Sequence, residues 1–199
     1  TSGRLSGRGT CEYANGNRYE GEFANGVRHG SGTLEFASGD RYEGEFVEGK
    51  IVGTGRYTFT NGDYYEGEFR DGEFVRGTAQ LTYEDGNRYT GPFANGVPQG
   101  SGTLTFADGS RYEGEFQNGS LTGEGAIIFA NGDRCGGTVE NGNFEGNVVC
   151  GYANGDRFEG QFQNGMKNGP GVYIFADAIA LKALGAMVNS KINSERMWV

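Results

Sequence analysis

A pentapeptide returns along this chain at a nearly constant spacing: Tyr19-Glu-Gly-Glu-Phe23, Tyr42-Glu-Gly-Glu-Phe46, Tyr65-Glu-Gly-Glu-Phe69 and Tyr112-Glu-Gly-Glu-Phe116. Weaker copies begin at Tyr89, Cys135 and Phe158, so seven units start at intervals of 23, 23, 24, 23, 23 and 23 residues. A fixed period of that length is the signature of a repeat architecture and constrains the fold more than any single residue. Function in such a chain belongs to a repeated surface, and no residue stands alone in a setting that suits catalysis.

One unit reads as two strands and two turns. Arg18-Tyr-Glu-Gly-Glu-Phe23 and Gly32-Thr-Leu-Glu-Phe36 alternate with period two, which is the strand pattern. Ala24–Gly30 and Ala37–Asp40 read as turns, and Asn-Gly or Asp-Gly recurs in them throughout the chain, supplying the positive φ angles that tight turns need. Alternation puts Tyr19, Gly21, Phe23, Gly32, Leu34 and Phe36 on one face and Arg18, Glu20, Glu22, Thr33 and Glu35 on the other. Rings then lie over the glycines of neighbouring strands, which otherwise weaken a strand. The aromatic residues follow this rule except Tyr64, Phe74, Phe144 and Trp198. The expected fold is all-β: a single-layer antiparallel β-meander solenoid of about seven 23-residue hairpin repeats over 1–177, followed by a C-terminal α-helix and tail over 178–199.

Composition narrows the function classes. Net charge is −9 with a pI near 4.7, which argues against nucleic-acid partners and makes association with anionic membranes an unfavoured reading, since both need a basic footprint. No stretch approaches the ~20 apolar residues of a membrane span. The chain starts at Thr1 within a unit, so it is read as trimmed from a longer protein. Cys11, Cys135 and Cys150 sit at core-type positions without the spacing of a disulfide framework or zinc site, and a reducing, cytoplasmic setting is expected. Cys135 and Cys150 face the same side on neighbouring strands, so a disulfide between them is geometrically open; small buried thiols are the expectation.

Catalytic motifs do not emerge. His29 is the only histidine and falls in a turn. The Gly-x-Gly pairs precede no Lys-Ser/Thr and open no helix, so they are hairpin glycines and not phosphate loops. Glu43 and Glu45 have the look of a carboxylate pair, but their repetition beside Arg18, Arg41 or Arg111 reads as a solvated ladder. No cofactor, metal site or catalytic residue is expected.

Irregular units carry the individuality. One extra residue lies between Gly72 and Gly77, Ala79 stands where glycine is usual, and Pro92 sits inside a strand; a kink near 72–92 is expected. Unit six has Cys135, Gly136 and Val139 in place of the aromatic frame. After Phe175 the pattern stops, and Ala176–Val188 is rich in helix formers with apolar Ile179, Leu184, Met187 and Ile192 along one stripe. The favoured reading is a helix that caps the last apolar end, the other a helix that docks in a groove.

Tyr-Glu-Gly-Glu-Phe followed by Asn-Gly, Gly-x-Gly and aromatic-Ala-Asn/Asp-Gly resembles the MORN (membrane occupation and recognition nexus) repeat over about residues 3–178. The resemblance implies a non-catalytic β-hairpin scaffold that docks helices or peptides, self-associates, or accompanies an enzymatic domain such as a lipid kinase or lysine methyltransferase. The function read here is a protein–protein interaction scaffold whose aromatic groove takes a partner's helix or peptide. Its candidate binding residues are Tyr19, Phe23, Tyr42, Phe46, Tyr65, Phe69, Tyr89, Phe93, Tyr112 and Phe116. Self-association into a homodimer or oligomer, and service as an accessory domain of a larger enzyme, are the alternatives.

Overall fold

Asparagine, aspartate or glutamate followed by glycine closes each hairpin in two residues, tighter than the seven-residue turn expected at 24–30. Asn25 and Gly26 adopt φ of 53° and 85°, and the same left-handed pair recurs at Asn95-Gly96, Asn118-Gly119 and Asn164-Gly165. A computed structural model of the chain describes residues 4–177. The C-terminal helix expected over 178–199 lies outside the described residues.

The strands fall into two units. The first runs to Glu84 and takes in Arg88–Gln99, with β1 (Gly7–Glu12), β2 (Arg18–Ala24), β3 (Val27–Glu35), β4 (Arg41–Val47), β5 (Lys50–Thr58), β6 (Tyr64–Arg70), β7 (Glu73–Thr82), β8 (Arg88–Ala94) and the short β9 (Val97–Pro98). The second comprises Asp85–Asn87 and the chain from Gly100, with β10 (Gly100–Thr105), β11 (Arg111–Gln117), β12 (Ser120–Ile128), β13 (Arg134–Glu140), β14 (Asn143–Gly151), β15 (Arg157–Gln163) and β16 (Met166–Ile174). Within each unit sequence neighbours pair antiparallel, as a meander must.

The Glu-Gly-Glu beat divides into two jobs. The first glutamate pairs with the arginine two residues before it on the same strand: Arg18–Glu20 at 3.1 Å, Arg41–Glu43, and Arg111–Glu113 at 2.7 Å. These pairs lie along the strand more than across it, and being solvated each contributes ~0–1 kcal/mol. The second glutamate serves a β-bulge. Pairing slips between Gly44 and Glu45, and Glu45 folds over Gly53 (φ 64°), accepting the Thr54 amide at 3.4 Å and its hydroxyl at 2.7 Å. Glu22 does the same for Ser31. His29 is therefore not in a turn; it lies exposed in β3 at the bulge, opposite Glu22.

Successive repeats are tied at both edges. At the hairpin edge the turn glycine donates to the repeat before it: Gly49 N–H to Arg28 C=O at 2.9 Å, Gly72 to Ile51, Gly142 to Leu121 and Gly165 to Phe144. At the other edge an Asx carboxyl or amide oxygen reaches forward about twenty residues and accepts a backbone N–H. Asn17 takes Ala37, Asp40 takes Thr60, Asp63 takes Thr82, Asn87 takes Ala107, Asp133 takes Ala153 and Asp156 takes Ala176. Ser110 holds the equivalent place but its hydroxyl turns back onto Asp108. Turns with Asp in that last place carry Asn or Ser two residues earlier, whereas Asp85 is paired with Asn87, whose amide donates to it at 2.8 Å. Ser110→Asn copies that neutral pairing beside Asp108 and extends an acceptor toward Ala130. It should raise the urea midpoint by about 1 kcal/mol in stability, the worth of one hydrogen bond; an unchanged or lower midpoint would show that the bracket does not form.

One pairing breaks the pattern, and a methyl group explains it. Elsewhere the tyrosine lies over two facing glycines, so a Cβ on Gly32 would collide with the Tyr19 ring and one on Gly55 with the Tyr42 ring. Ala79 stands in the place of the second of those glycines, which should face Gly67 beneath the Tyr65 ring. With no room for its methyl beneath a ring, β7 slips by two residues against β6: Gly67 faces Gly77 and Tyr65 faces Ala79 itself. The bulge moves to Glu68/Phe69, where the extra residue of this repeat leaves Val75 unpaired. Tyr65 then swings off the glycines and stacks on Phe74 at 4.7 Å. Phe74 thus belongs to the inner frame and is not an exception to it. Phe144, also read as an exception, is buried and packs on Phe162 at 6.2 Å.

The cysteines need a larger correction. Cys135 and Cys150 were expected as separate buried thiols; they face each other directly on β13 and β14, with Cα atoms 4.0 Å apart, and are joined in a disulfide. The expectation rested on the absence of a secretion signal, whereas register alone decides whether two side chains can meet. Cys11 is the free cysteine among the described residues and packs half-buried against the first unit's core.

Candidate functional site

Two rows of side chains build the inner face. The first runs Cys11, Tyr19, Leu34, Tyr42, Tyr57 and Tyr65 across the first unit, and Leu104, Tyr112, Ile127, Cys135, Cys150, Phe158 and Tyr173 across the second. The second row holds the phenylalanines. Tyr19 and Tyr42 each meet the phenylalanine of their own repeat and that of the next edge-on: Tyr19 with Phe23 and Phe46, both at 5.0 Å, and Tyr42 with Phe46 at 5.4 Å and Phe69 at 5.1 Å. Edge-to-face pairs of this kind contribute about 0.5–1.5 kcal/mol beyond the area they bury. The hydroxyls finish on backbone carbonyls at the bulge. Tyr19 donates to Glu22 C=O at 2.9 Å, Tyr112 to Glu115 and Thr122, both at 3.3 Å, and Tyr89 to Pro92 C=O at 2.6 Å.

Electrostatics follows from this burial. The Tyr42 and Tyr89 hydroxyls are pushed up to about 12 because their phenolates would lose solvation, and Tyr19, Tyr65 and Tyr112 are raised for the same reason. Tyr57 also reaches about 12, through burial and its hydrogen bond to Asp40 at 3.0 Å. These tyrosines are neutral structural donors in the ordinary pH range.

Of the ten rings singled out by their recurrence, nine are 6% exposed or less; Tyr65, displaced by Ala79, is half-buried. The accessible part of the inner face is made by other residues. Directly opposite each phenylalanine, at the hairpin, sits a lid residue that varies between repeats: Arg28, Ile51, Phe74, Pro98, Leu121, Phe144 (opposite Val139) and Lys167. In the first unit Ile51 and Phe74, with Tyr13, Phe36, Tyr57 and Tyr65, lie half-buried against the core. Arg28 roofs one end, its guanidinium 5.6 Å from the Tyr13 ring, 5.9 Å from Tyr19 and 5.5 Å from Phe46 while donating to Gly49 C=O at 2.7 Å. Recurrence in sequence points to the core; the lids, being variable, give no periodic signal and were missed.

The outer face of the first unit is polar. An open hollow of about 410 Å³ there is lined by Glu20, Thr33, Glu43, Glu45 and Thr54. Among the described residues no group of three His, Cys, Asp or Glu side chains could hold a metal ion, and no helix is long and apolar enough to cross a membrane.

The MORN repeat family matches residues 1–18, 19–41, 42–64, 65–88, 89–111, 112–134 and 158–177, most of the chain. The chain belongs to the MORN repeat family. Residues 135–157, the repeat with cysteine, glycine and valine in the frame, fall between the matched segments, yet they form the same hairpin from β13 and β14. A MORN hairpin therefore survives loss of the ring when Val148, at the second glycine's place, fills the space above Gly137. No curated protein sequence matches the chain significantly. Among solved structures it is similar to the TCP domain of SAS-4 (dCPAP) from Drosophila melanogaster, in complex with a proline-rich motif of Ana2 (dSTIL), at 16% identity and TM-score 0.40, covering 83% of this chain and 82% of that one. The TCP10 domain of Danio rerio CPAP, in complex with a peptide of STIL, gives 15% identity and TM-score 0.30, covering 87% of each. Likeness at that level carries no argument about what this MORN chain binds.

Proposed function

We propose that this MORN repeat chain is a non-catalytic scaffold that docks a partner's peptide or helix along the inner face of its first unit. The observation that carries the reading is the half-buried strip of Ile51, Tyr57, Tyr65 and Phe74 beside Arg28, over a core of closed rings. Apolar surface that a fold leaves open on a repeated face marks a recognition site. The rings Tyr19, Phe23, Tyr42, Phe46, Phe69, Tyr89 and Phe93 act in it as the rigid bed under the lids, and partner choice lies with the lids.

The test uses substitutions the repeat already accepts. Arginine occupies the lid place at Arg28, so Ile51→Arg with Phe74→Arg keeps the frame while making the strip cationic. Peptides selected from a displayed random library on the wild-type chain should lose about tenfold or more in affinity for this double variant, ~1.4 kcal/mol or more, and keep it for Val47→Asp on an exposed strand position. Peptides that bind both variants as they bind the wild type would sink the proposal.

A further inference from the structure

The outer face carries different chemistry in the second unit. In the first unit its middle row runs Thr10, Glu20, Thr33, Glu43, Arg56 and Glu66, polar throughout. The matching row of the second unit runs Glu113, Ala126, Gly136, Val149, Glu159 and Val172, and the row beside it Arg111, Ile128, Arg134, Gly151, Arg157 and Ile174. Alternation has lapsed in β12, β14 and β16, which read Ala126-Ile127-Ile128, Val148-Val149-Cys150 and Val172-Tyr173-Ile174. An apolar run without alternation is the pattern of a strand covered on both faces. Yet among the described residues the outer side stays open, with Val149 41% and Val172 47% exposed.

The charges among these apolar residues say what fits. Glu113 lies two residues from Arg111 and Glu159 two residues from Arg157, each pair solvated at 2.7 Å with the acid in the first row and the base in the second. A two-fold axis laid between the rows and along them turns each strand onto its own counterpart and the first row onto the second. Glu113 then faces Arg111 of the other copy and Glu159 faces Arg157, while Ala126 meets Ile128 and Val172 meets Ile174. Arg134 falls over Gly136, which has no side chain to block it. Acids meet bases and aliphatic groups meet each other, the self-complementarity that a two-fold interface requires. We propose that the outer face of the second unit, centred on β14, is a dimerisation surface on which a second copy of this chain packs sheet to sheet. Aligned face-to-face packing is how two sheets bury facing apolar surfaces. The band spans five strands, β12 to β16, or about 20 Å at the usual spacing, an extent that suits a reversible dimer. It shares no residue with the lid strip of the first unit, so either reading can fail without the other.

Sedimentation equilibrium on the full chain tests this: its mass should climb from monomer to dimer with concentration. The repeat accepts arginine at the place of Val149, since Arg56 holds it opposite Glu66 as Val149 stands opposite Glu159. Val149→Arg should therefore keep the circular dichroism spectrum while raising the dimer dissociation constant about tenfold or more, because it buries a cation in an apolar band. Ile51→Arg with Phe74→Arg should leave that constant unchanged. A charge exchange checks the register. Arg157→Glu and Glu159→Arg should each weaken the homodimer, because like charges then meet. Mixed together, the two variants should pair with each other as the wild type pairs with itself. A wild type that stays monomeric at every concentration overturns the proposal and leaves the face to another occupant. A dimer that Val149→Arg leaves intact overturns it too, as does a mixture of the exchanged variants that recovers nothing.

Discussion

Gly55→Ala should cost about 3 kcal/mol or more, the upper end of what an inserted core methyl costs, a large fraction of the ~5–15 kcal/mol that holds a domain together. Gly55 lies beneath the Tyr42 ring, where a Cβ would sit 2.6 Å from Cε2 and against the hydroxyl, with no open space to turn into. Tyr42 cannot yield either, since Phe46 and Phe69 close it edge-on. The β6–β7 pairing is the natural version of this experiment: Ala79 occupies the same place, and the strand escapes by slipping two residues. A slip of that kind in β4 and β5 would abolish their bulge, with the Glu45 bonds to Thr54, and lift Tyr42 off its glycines, so neither route spares the substituted chain. Gly151→Ala is the control. That glycine has an ordinary φ and nothing within 4 Å of an added methyl, so its effect should stay within about 0.5 kcal/mol. Urea unfolding followed by circular dichroism separates them; matching midpoints would refute the claim that ring-over-glycine packing sets the repeat.

The same contact shows what a periodic reading captures. Hairpins and the placing of Tyr42 over glycines follow from Asn-Gly dipeptides and strict alternation, because both are local and recur. The bulge was not legible. Gly53-Thr-Gly55 reads as a hairpin Gly-x-Gly, and nothing local says that the first glycine must be left-handed under the Glu45 carboxylate. The Asx brackets escaped for another reason. Asp40 looks like a turn residue, and its bond to Thr60 appears only once the next repeat is laid beside it. Ala79 was seen as a lapse from glycine, but its consequence depends on which strand it faces.

The candidate site divides in the same way. Tyr19 and Phe46 were chosen because they recur, and what recurs in a solenoid is whatever makes one repeat fit the next, which is core. Ile51 and Phe74 occupy a place filled by six residue types in seven repeats, so no period exposes it. Pairing finds it at once, since each lid lies opposite a phenylalanine. Variation at a fixed structural place is where a repeat protein can differ from its relatives in what it binds.

Reducing Cys135–Cys150 should remove about 3 kcal/mol, the loop-entropy value for a crosslink closing some fifteen residues, and the loss should fall on the second unit. The bridge spans 15 residues between β13 and β14, in the repeat that has given up its ring clasp. Where Tyr42 and Gly55 stand in a regular repeat, this one has Cys135 and Val148. Val148, 1% exposed, fills from the opposite strand the volume a ring would have filled. Packing is thereby restored, but the edge-on contacts that lock one repeat to the next are not, since neither Cys135 nor Val139 offers a ring. The disulfide holds the strand pair that those contacts would have held. Native-state hydrogen exchange with and without a thiol reductant resolves the location. Amides of β13 to β15 should lose protection while those of β3 to β5 keep theirs, and Cys135→Ser with Cys150→Ser should reproduce the reduced profile. If the reduced chain unfolds at the oxidised midpoint, or if both units weaken alike, the bridge is not what replaces the clasp.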